Sequence, residues 1–211
     1  PWQRNKTAYR VWVSEVMLQQ TQASTVVPYF ERFLTRFPSV RRLAEASEDE
    51  VLEYWTGLGY YRRARHLRMA AIEVVEEHGG RIPTDVDALS SLPGIGRSTA
   101  GAIVAIAFQR TATILDGNVR RVLSRFYAIS GKRGAAKTEK RLWARAEANT
   151  PTTQVDLYTQ AIMDLGAIVC VRSNPKCSQC PISNQCRAHQ QGREHAYPSA
   201  ATRRPLSVRH A

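Results

Sequence analysis

The chain has 211 residues, 43% of them hydrophobic, and 30 Lys and Arg against 18 Asp and Glu give it a formal net charge of +12. That length and composition suit one large core or two modest ones, and no apolar run nears the roughly 18 residues of a helical membrane span, which excludes an integral helical membrane protein. The cationic excess favours a polyanionic partner, DNA or RNA first, over the plainer alternative of a chain kept soluble by its charges.

The opening Pro1-Trp2-Gln3-Arg4-Asn5-Lys6 has no apolar export signal and no initiator Met, so an intracellular protein and a piece of a longer chain are both expected. Over residues 8–25 apolar positions recur at helical spacing, with Val11, Trp12, Val16 and Leu18 forming a stripe. Glu15 lies inside that stripe with no Lys or Arg three or four residues away. A carboxyl in dry surroundings without a local cation has a raised pKa, as a general acid needs; a Glu that reaches solvent or meets a distant Arg is the competing account. Short helical pieces follow near 28–37, 39–46 and 48–55, the last ended by Gly57 and Gly59. Tyr60 and Tyr61 then precede Arg62, Arg63, Arg65 and Arg68, on a helix whose apolar side is Ala64, Leu67, Ala71, Val74 and Val75. Aromatics flanked by arginine suit base stacking beside phosphate contacts, although loop plugs have the same composition. His66 and His78 are read as helix-surface residues.

The run Leu92-Pro93-Gly94-Ile95-Gly96-Arg97-Ser98-Thr99-Ala100-Gly101 predicts a helix, hairpin and helix over about 85–108. Glycine allows the tight turn, and the second helix begins with backbone amides that suit a phosphate. A plain connector between packed helices remains the alternative. The small apolar residues that follow Gly101 make the second helix a buried one. Asp116 falls where the N-cap of the next helix belongs, and amides donated to it there favour its ionised form. That helix carries Val119, Val122, Leu123 and Phe126 inward, with Arg120, Arg121 and Arg125 expected outward. Helices over 137–149 and 155–169 complete the pattern.

All four cysteines, Cys170, Cys177, Cys180 and Cys186, fall within one short segment. Clustered thiols in an intracellular chain point to metal rather than disulfides. Zinc and a [4Fe–4S] cluster both accept four thiolates, and a single C-x2-C pair followed by Pro181 leans toward iron–sulfur. Either metal would pin residues 172–176 and present their cations to a phosphate backbone. Residues 191–211 turn polar and read as a linker or tail.

The hairpin, the two carboxyls and the cysteines together resemble the helix-hairpin-helix base-excision DNA glycosylases with an iron–sulfur cluster, and within them the adenine-excising MutY family. Pro1-Trp2-Gln3, Val11-Trp12-Val13-Ser14-Glu15-Val16-Met17-Leu18-Gln19-Gln20-Thr21-Gln22, Gly57-Leu58-Gly59-Tyr60-Tyr61, Leu92 to Gly101, Ile114-Leu115-Asp116-Gly117-Asn118-Val119 and Met163-Asp164-Leu165-Gly166-Ala167 carry the resemblance, as does the cysteine spacing. It implies an all-α fold of two modules: a six-helix domain over 7–112, and a [4Fe–4S] domain formed by 1–6 and 113–190. The likeness further implies a monomer acting on double-stranded DNA that holds adenine opposite 8-oxoguanine or guanine.

By the same resemblance, Glu15 protonates the adenine ring, Asp116 stabilises the oxocarbenium-like sugar, and Asn118 helps hold that sugar. Gln20 and Tyr60 match residues that wedge into the base stack, while Trp2, Leu18 and Asp164 match positions near the adenine pocket. Leu92, Gly94 and Gly96 match the DNA-binding hairpin. Ser98 stands where related endonuclease III enzymes carry a Schiff-base lysine, and a hydroxyl cannot form that imine, so a monofunctional enzyme is expected. The family pattern also leads us to expect a helix before Pro1 and a Nudix-like domain after the tail. A glycosylase for mismatched thymine or oxidised pyrimidine, and a non-catalytic iron–sulfur DNA-binding module, are the alternatives.

Overall fold

The computed structural model describes residues 5–132 and 134–199, so Trp2 lies outside the described residues. Every regular element among them is helical. In chain order these are α1 (Ala8–Leu18), α2 (Ala23–Arg36), α3 (Val40–Glu45), α4 (Glu48–Trp55), α5 (Arg62–His78), α6 (Val86–Ser91), α7 (Arg97–Phe108), α8 (Gly117–Phe126), α9 (Ala136–Asn149), α10 (Val155–Asp164) and α11 (Arg187–Gln190). None is long and apolar enough to cross a membrane. The chain divides into two compact units, Pro1–Ile114 with Thr150–Thr159 and Leu115–Asn149 with Gln160–Ala211, the division falling within α10.

In the first unit, side-chain caps set several helix starts. Thr7, Ser39, Ser47 and Asp85 each accept a backbone N–H from the first turn of α1, α3, α4 and α6 respectively, a contact worth about 1 kcal/mol apiece. The apolar stretch 8–25 is not one helix. It stops at Leu18, Gln20 takes a left-handed φ of 59°, and the chain restarts at Ala23. Pro28, expected to open a helix, instead lies inside α2. Its missing N–H is tolerated because Val26, Phe30, Phe33 and Leu34 are buried along one face, and that burial overrides local preference. Phe33 packs edge-on to Trp55 at 5.8 Å, and the Tyr9 hydroxyl donates to the Phe37 carbonyl at 2.8 Å. Helix α7 is buried from Ala100 to Ile106 and packs on α1 and α6. A Cβ at Gly101 would collide with the Thr113 carbonyl oxygen, so the approach of that strand-like segment to α7 requires glycine.

In the second unit α8 is the hub, packed by α9, α11 and the segment after α10. Val119, Val122 and Leu123 face inward as expected, but the arginines do not face outward. Arg125 is only 3% exposed, and Arg120 pairs with Glu139 at 2.6 Å. Helix α10 runs on into a π-helical turn, Leu165–Val169, closed by the Cys170 N–H on the Leu165 carbonyl at 2.7 Å. The first part of the expected tail is also ordered. Glu194–Ala196 forms a 3-10 turn and Tyr197 is buried, held by Arg125, whose Nε donates to the carbonyls of Glu194 and Tyr197 at 3.0 Å each.

Candidate active site and cysteine loop

Helix α1 carries Glu15, half-buried between the buried Ser14 and Val16, with Leu18 half-buried one turn on and Gln20 exposed just past the helix end. Glu15 is thus neither sealed in nor fully open to solvent.

Gln20 and Tyr60 line one cavity of about 420 Å³, together with Tyr61, His66, Pro93 and Gly94. Tyr60 is 58% exposed and, like Gln20, adopts a left-handed backbone, with φ of 50°. Such conformations cost a non-glycine residue about 1–3 kcal/mol and persist only where their surroundings enforce them. Of the arginines next to Tyr60, Arg62 and Arg65 are exposed while Arg63 and Arg68 are half-buried. Arg65 pairs with Glu48 at 2.8 Å, Arg68 donates to the Ala46 carbonyl at 2.6 Å, and Arg63 turns inward beneath Tyr60.

The hairpin is built as expected. Asp85 caps α6 through the amides of Asp87 and Ala88. Leu92 is buried, Gly94 takes φ +75°, and Gly96 is the N-cap of α7, with no side-chain hydrogen bond at that cap. A Cβ on Gly94 would lie 2.7 Å from the His66 Cβ, so His66 packs on the hairpin rather than standing free on the helix surface. Ser98 is half-buried in the first turn of α7.

Asp116 caps α8 in the second unit, its Oδ1 accepting the Val119 N–H at 2.7 Å. Burial nevertheless raises its pKa from the ordinary value. The amides of Val119 and Asn118 and the charges of Arg121 and Arg120 pull the other way without prevailing. The expectation that the cap would govern this carboxyl is therefore corrected, since desolvation outweighs the amides. The Asn118 Oδ1 accepts from Arg121 at 2.8 Å, and Arg121 also donates to the carbonyls of Gly166 at 2.6 Å and Cys170 at 2.7 Å. Gly166 in the π-helical turn abuts Asn118, where a Cβ would lie 2.6 Å from the Asn118 Cβ. Asp164 accepts from Gln160 at 2.8 Å.

The four cysteines are half-buried and form no disulfide. They lie near enough for their charges to interact, and burial, reinforced by Glu194, pushes the Cys177 thiol up to about 11. The Cys186 thiol is also raised by burial, against the amides of His189 and Ala188 that point at its sulfur. Arg125 donates to the Cys170 sulfur at 3.3 Å and to the carbonyls of Val171 at 2.7 Å and Arg172 at 3.0 Å. Ligand atoms of Cys177, His189 and Glu194 also lie within 4.8 Å of one another, a candidate metal-binding group. Sequence reasoning missed Arg63, Arg121 and Arg125. Their partners lie up to 72 residues away in the chain, and no local pattern announces them.

The pattern of the HhH-GPD superfamily of base excision DNA repair proteins matches residues 13–148. An adenine DNA glycosylase from Buchnera aphidicola subsp. Schizaphis graminum (strain Sg) is 43% identical over 198 residues, 94% of this chain and 57% of its own length. One from Homo sapiens is 45% identical over 199 residues, 90% of this chain and 36% of its own. The chain thus spans little more than half, or less, of the length of these relatives. Among solved structures, a thermostable thymine-DNA glycosylase superimposes with a TM-score of 0.79 at 27% identity, covering 90% of this chain and 88% of that one. Endonuclease III in a non-covalent complex with DNA gives 0.76 at 21% identity, covering 89% and 86%, a likeness of fold.

Proposed function

Since this chain belongs to the HhH-GPD superfamily of base excision DNA repair proteins, we propose that it is a monofunctional, monomeric DNA glycosylase removing adenine mispaired with 8-oxoguanine or guanine. The observation that carries this reading is its 43–45% identity, over at least 90% of the chain, to two adenine DNA glycosylases of different kingdoms. The superfamily pattern over residues 13–148 takes in the stretch holding Glu15.

The chemistry follows from two carboxyls in unlike settings. The target adenine leaves the stack at a cost of a few kcal/mol, which Gln20 and Tyr60 offset by filling the gap. Glu15 donates a proton to a ring nitrogen, the bond from the sugar to adenine breaks with its electron pair going to the base, and the sugar becomes cationic. Asp116, poorly solvated, gains from an adjacent cation more than a water-exposed carboxylate would. Asn118, held by Arg121, fixes the start of α8 against that sugar. Water then adds to the sugar, its proton returning to Glu15, and the abasic site remains. Ser98 offers no amine, so the strand is left intact. The hairpin of Leu92, Gly94 and Gly96 grips the phosphate backbone through its amides.

Four half-buried thiols in mutual range, with amides aimed at the Cys186 sulfur and a guanidinium at that of Cys170, suit a [4Fe–4S] cluster on Cys170, Cys177, Cys180 and Cys186. Such a cluster would fasten the loop by four iron–thiolate bonds. Thiols of this kind belong in the reducing interior of a cell, where we place the protein.

The test is a single-turnover assay on duplexes with adenine opposite 8-oxoguanine, followed by alkali. Strand breaks only after alkali support the reading. Release of thymine from a thymine–guanine duplex, or of thymine glycol, with adenine left in place would replace it by another glycosylase. Breaks without alkali would overturn the monofunctional assignment.

A further inference from the structure

Five oxygen atoms converge on the guanidinium of Arg63. Its Nη1 donates to the carbonyls of Val16 at 3.0 Å, of Met17 at 2.8 Å and of Gln19, which are terminal carbonyls of α1 and its C-cap. Its Nη2 donates to the Thr21 hydroxyl at 3.1 Å and the Gly59 carbonyl at 3.3 Å. The guanidinium also lies over two rings, 5.1 Å from the centre of Tyr60 and 5.5 Å from that of Trp55, whose indole N–H donates to the same Gly59 carbonyl at 3.0 Å. One side chain thus fastens the turn that carries Gln20 to the turn that carries Tyr60.

We propose that Arg63 is the positioning residue of the pair that enters the base stack: it holds Gln20 and Tyr60 in their left-handed conformations before DNA arrives. This rests on the wedge role assigned above to those two residues. Both are exposed, and both have positive φ, a region from which a non-glycine residue relaxes unless it is restrained. The restraint is electrostatic and planar at once. The carbonyls at the end of α1 form its negative pole, which a cation satisfies, and a flat guanidinium can fork to two turns while lying against an aromatic face. A preformed wedge meets the duplex without the entropy cost of ordering two loops on contact. Lysine keeps the charge but offers neither the fork nor the flat face, so Arg63→Lys removes the stitching while leaving a cation near the end of α1.

The experiment uses the full chain, wild type and Arg63→Lys, and follows base opening with 2-aminopurine placed at the target position opposite 8-oxoguanine. Adenine release is measured in parallel from the mispaired duplex and from a bulge whose adenine is already unstacked. The expected result is a fluorescence rise slowed about tenfold or more, with the ratio of duplex to bulge release falling by a similar factor. Equal losses on both substrates, or an unchanged fluorescence rise, would overturn the proposal. Hydrogen exchange on the free protein decides it independently of catalysis. Amides of residues 20–22 and 60–62 are protected in the wild type and lose protection in Arg63→Lys if Arg63 sets the wedge, and exchange unchanged between the two proteins refutes it. Absence of both opening and release in the wild type would instead tell against the glycosylase reading, with the exchange comparison still deciding the role of Arg63.

Discussion

The Asp116 carboxylate accepts the Val119 amide at 2.7 Å, yet the carboxyl holds its proton more tightly than an ordinary aspartate. Its folded-state pKa exceeds its unfolded one, so the stability linked to this group is complete below the ordinary value of 3.8 and declines as pH rises through the folded value. Asn is an equally good N-cap. Asp116→Asn is therefore expected to raise the melting temperature at pH 7 while abolishing adenine release, with the stability gain vanishing toward pH 3. Melting curves across that range check the sign; a variant less stable than wild type at pH 7 would refute it.

Glu15→Gln keeps the shape of the side chain and removes its proton. Adenine release should fall by about 10²–10⁴, the contribution of a placed general acid. Binding to the same duplex should change little. Single-turnover kinetics and a titration of labelled DNA measure the two, and matched losses in both would deny Glu15 a chemical role.

Arg125 gathers carbonyls of Val171, Arg172, Glu194 and Tyr197 from inside the second unit. Arg125→Met leaves these acceptors without their donor. Only the bond to the Tyr197 carbonyl is fully buried; a buried unsatisfied group costs about 1–3 kcal/mol and the part-buried acceptors can turn to water, so a total loss of about 3 kcal/mol is expected. Denaturant melts give the stability, and if the proposed cluster is held by this loop, iron and sulfide content should drop with it. Full retention of both would show that the loop is held by other means.

Gly166→Ala sets a methyl group against the backbone of Asn118, with its carbon 3.0 Å from the Asn118 Cα and carbonyl carbon. Overpacking of this kind costs about 1–3 kcal/mol. Because the displaced residue lies two positions from Asp116 in the first turn of α8, the rate of adenine release should fall even at temperatures where the variant is fully folded. A folded variant with the wild-type rate would remove Asn118 from the reaction.

Local signals in the sequence were reliable where the chain speaks to its near neighbours. Helix α4 over Glu48–Trp55, the turn at Gly94 and the Asp116 cap all follow from contacts within a few residues. The arginines were misread because their partners are distant. Arg63 meets the end of α1, and Arg125 meets Tyr197, 72 positions on, within a segment whose polar composition suggests a tail. Pro28 was misjudged for a related reason, since its helix is held by buried rings rather than by propensity. The balance at Asp116 required knowledge of how much water the fold removes, which no spacing reveals.

Helix α7 is a narrow rod of alanine, glycine and isoleucine against which α1 lies. Its girth acts as a gauge block: Ala100 and Ala102 are buried, so a bulkier residue at either would thicken the rod and push on whatever it packs against. Tolerance of random substitution should therefore be lowest along this inert-looking helix, and a survey of inactive variants would map the scaffold as densely as the acids themselves.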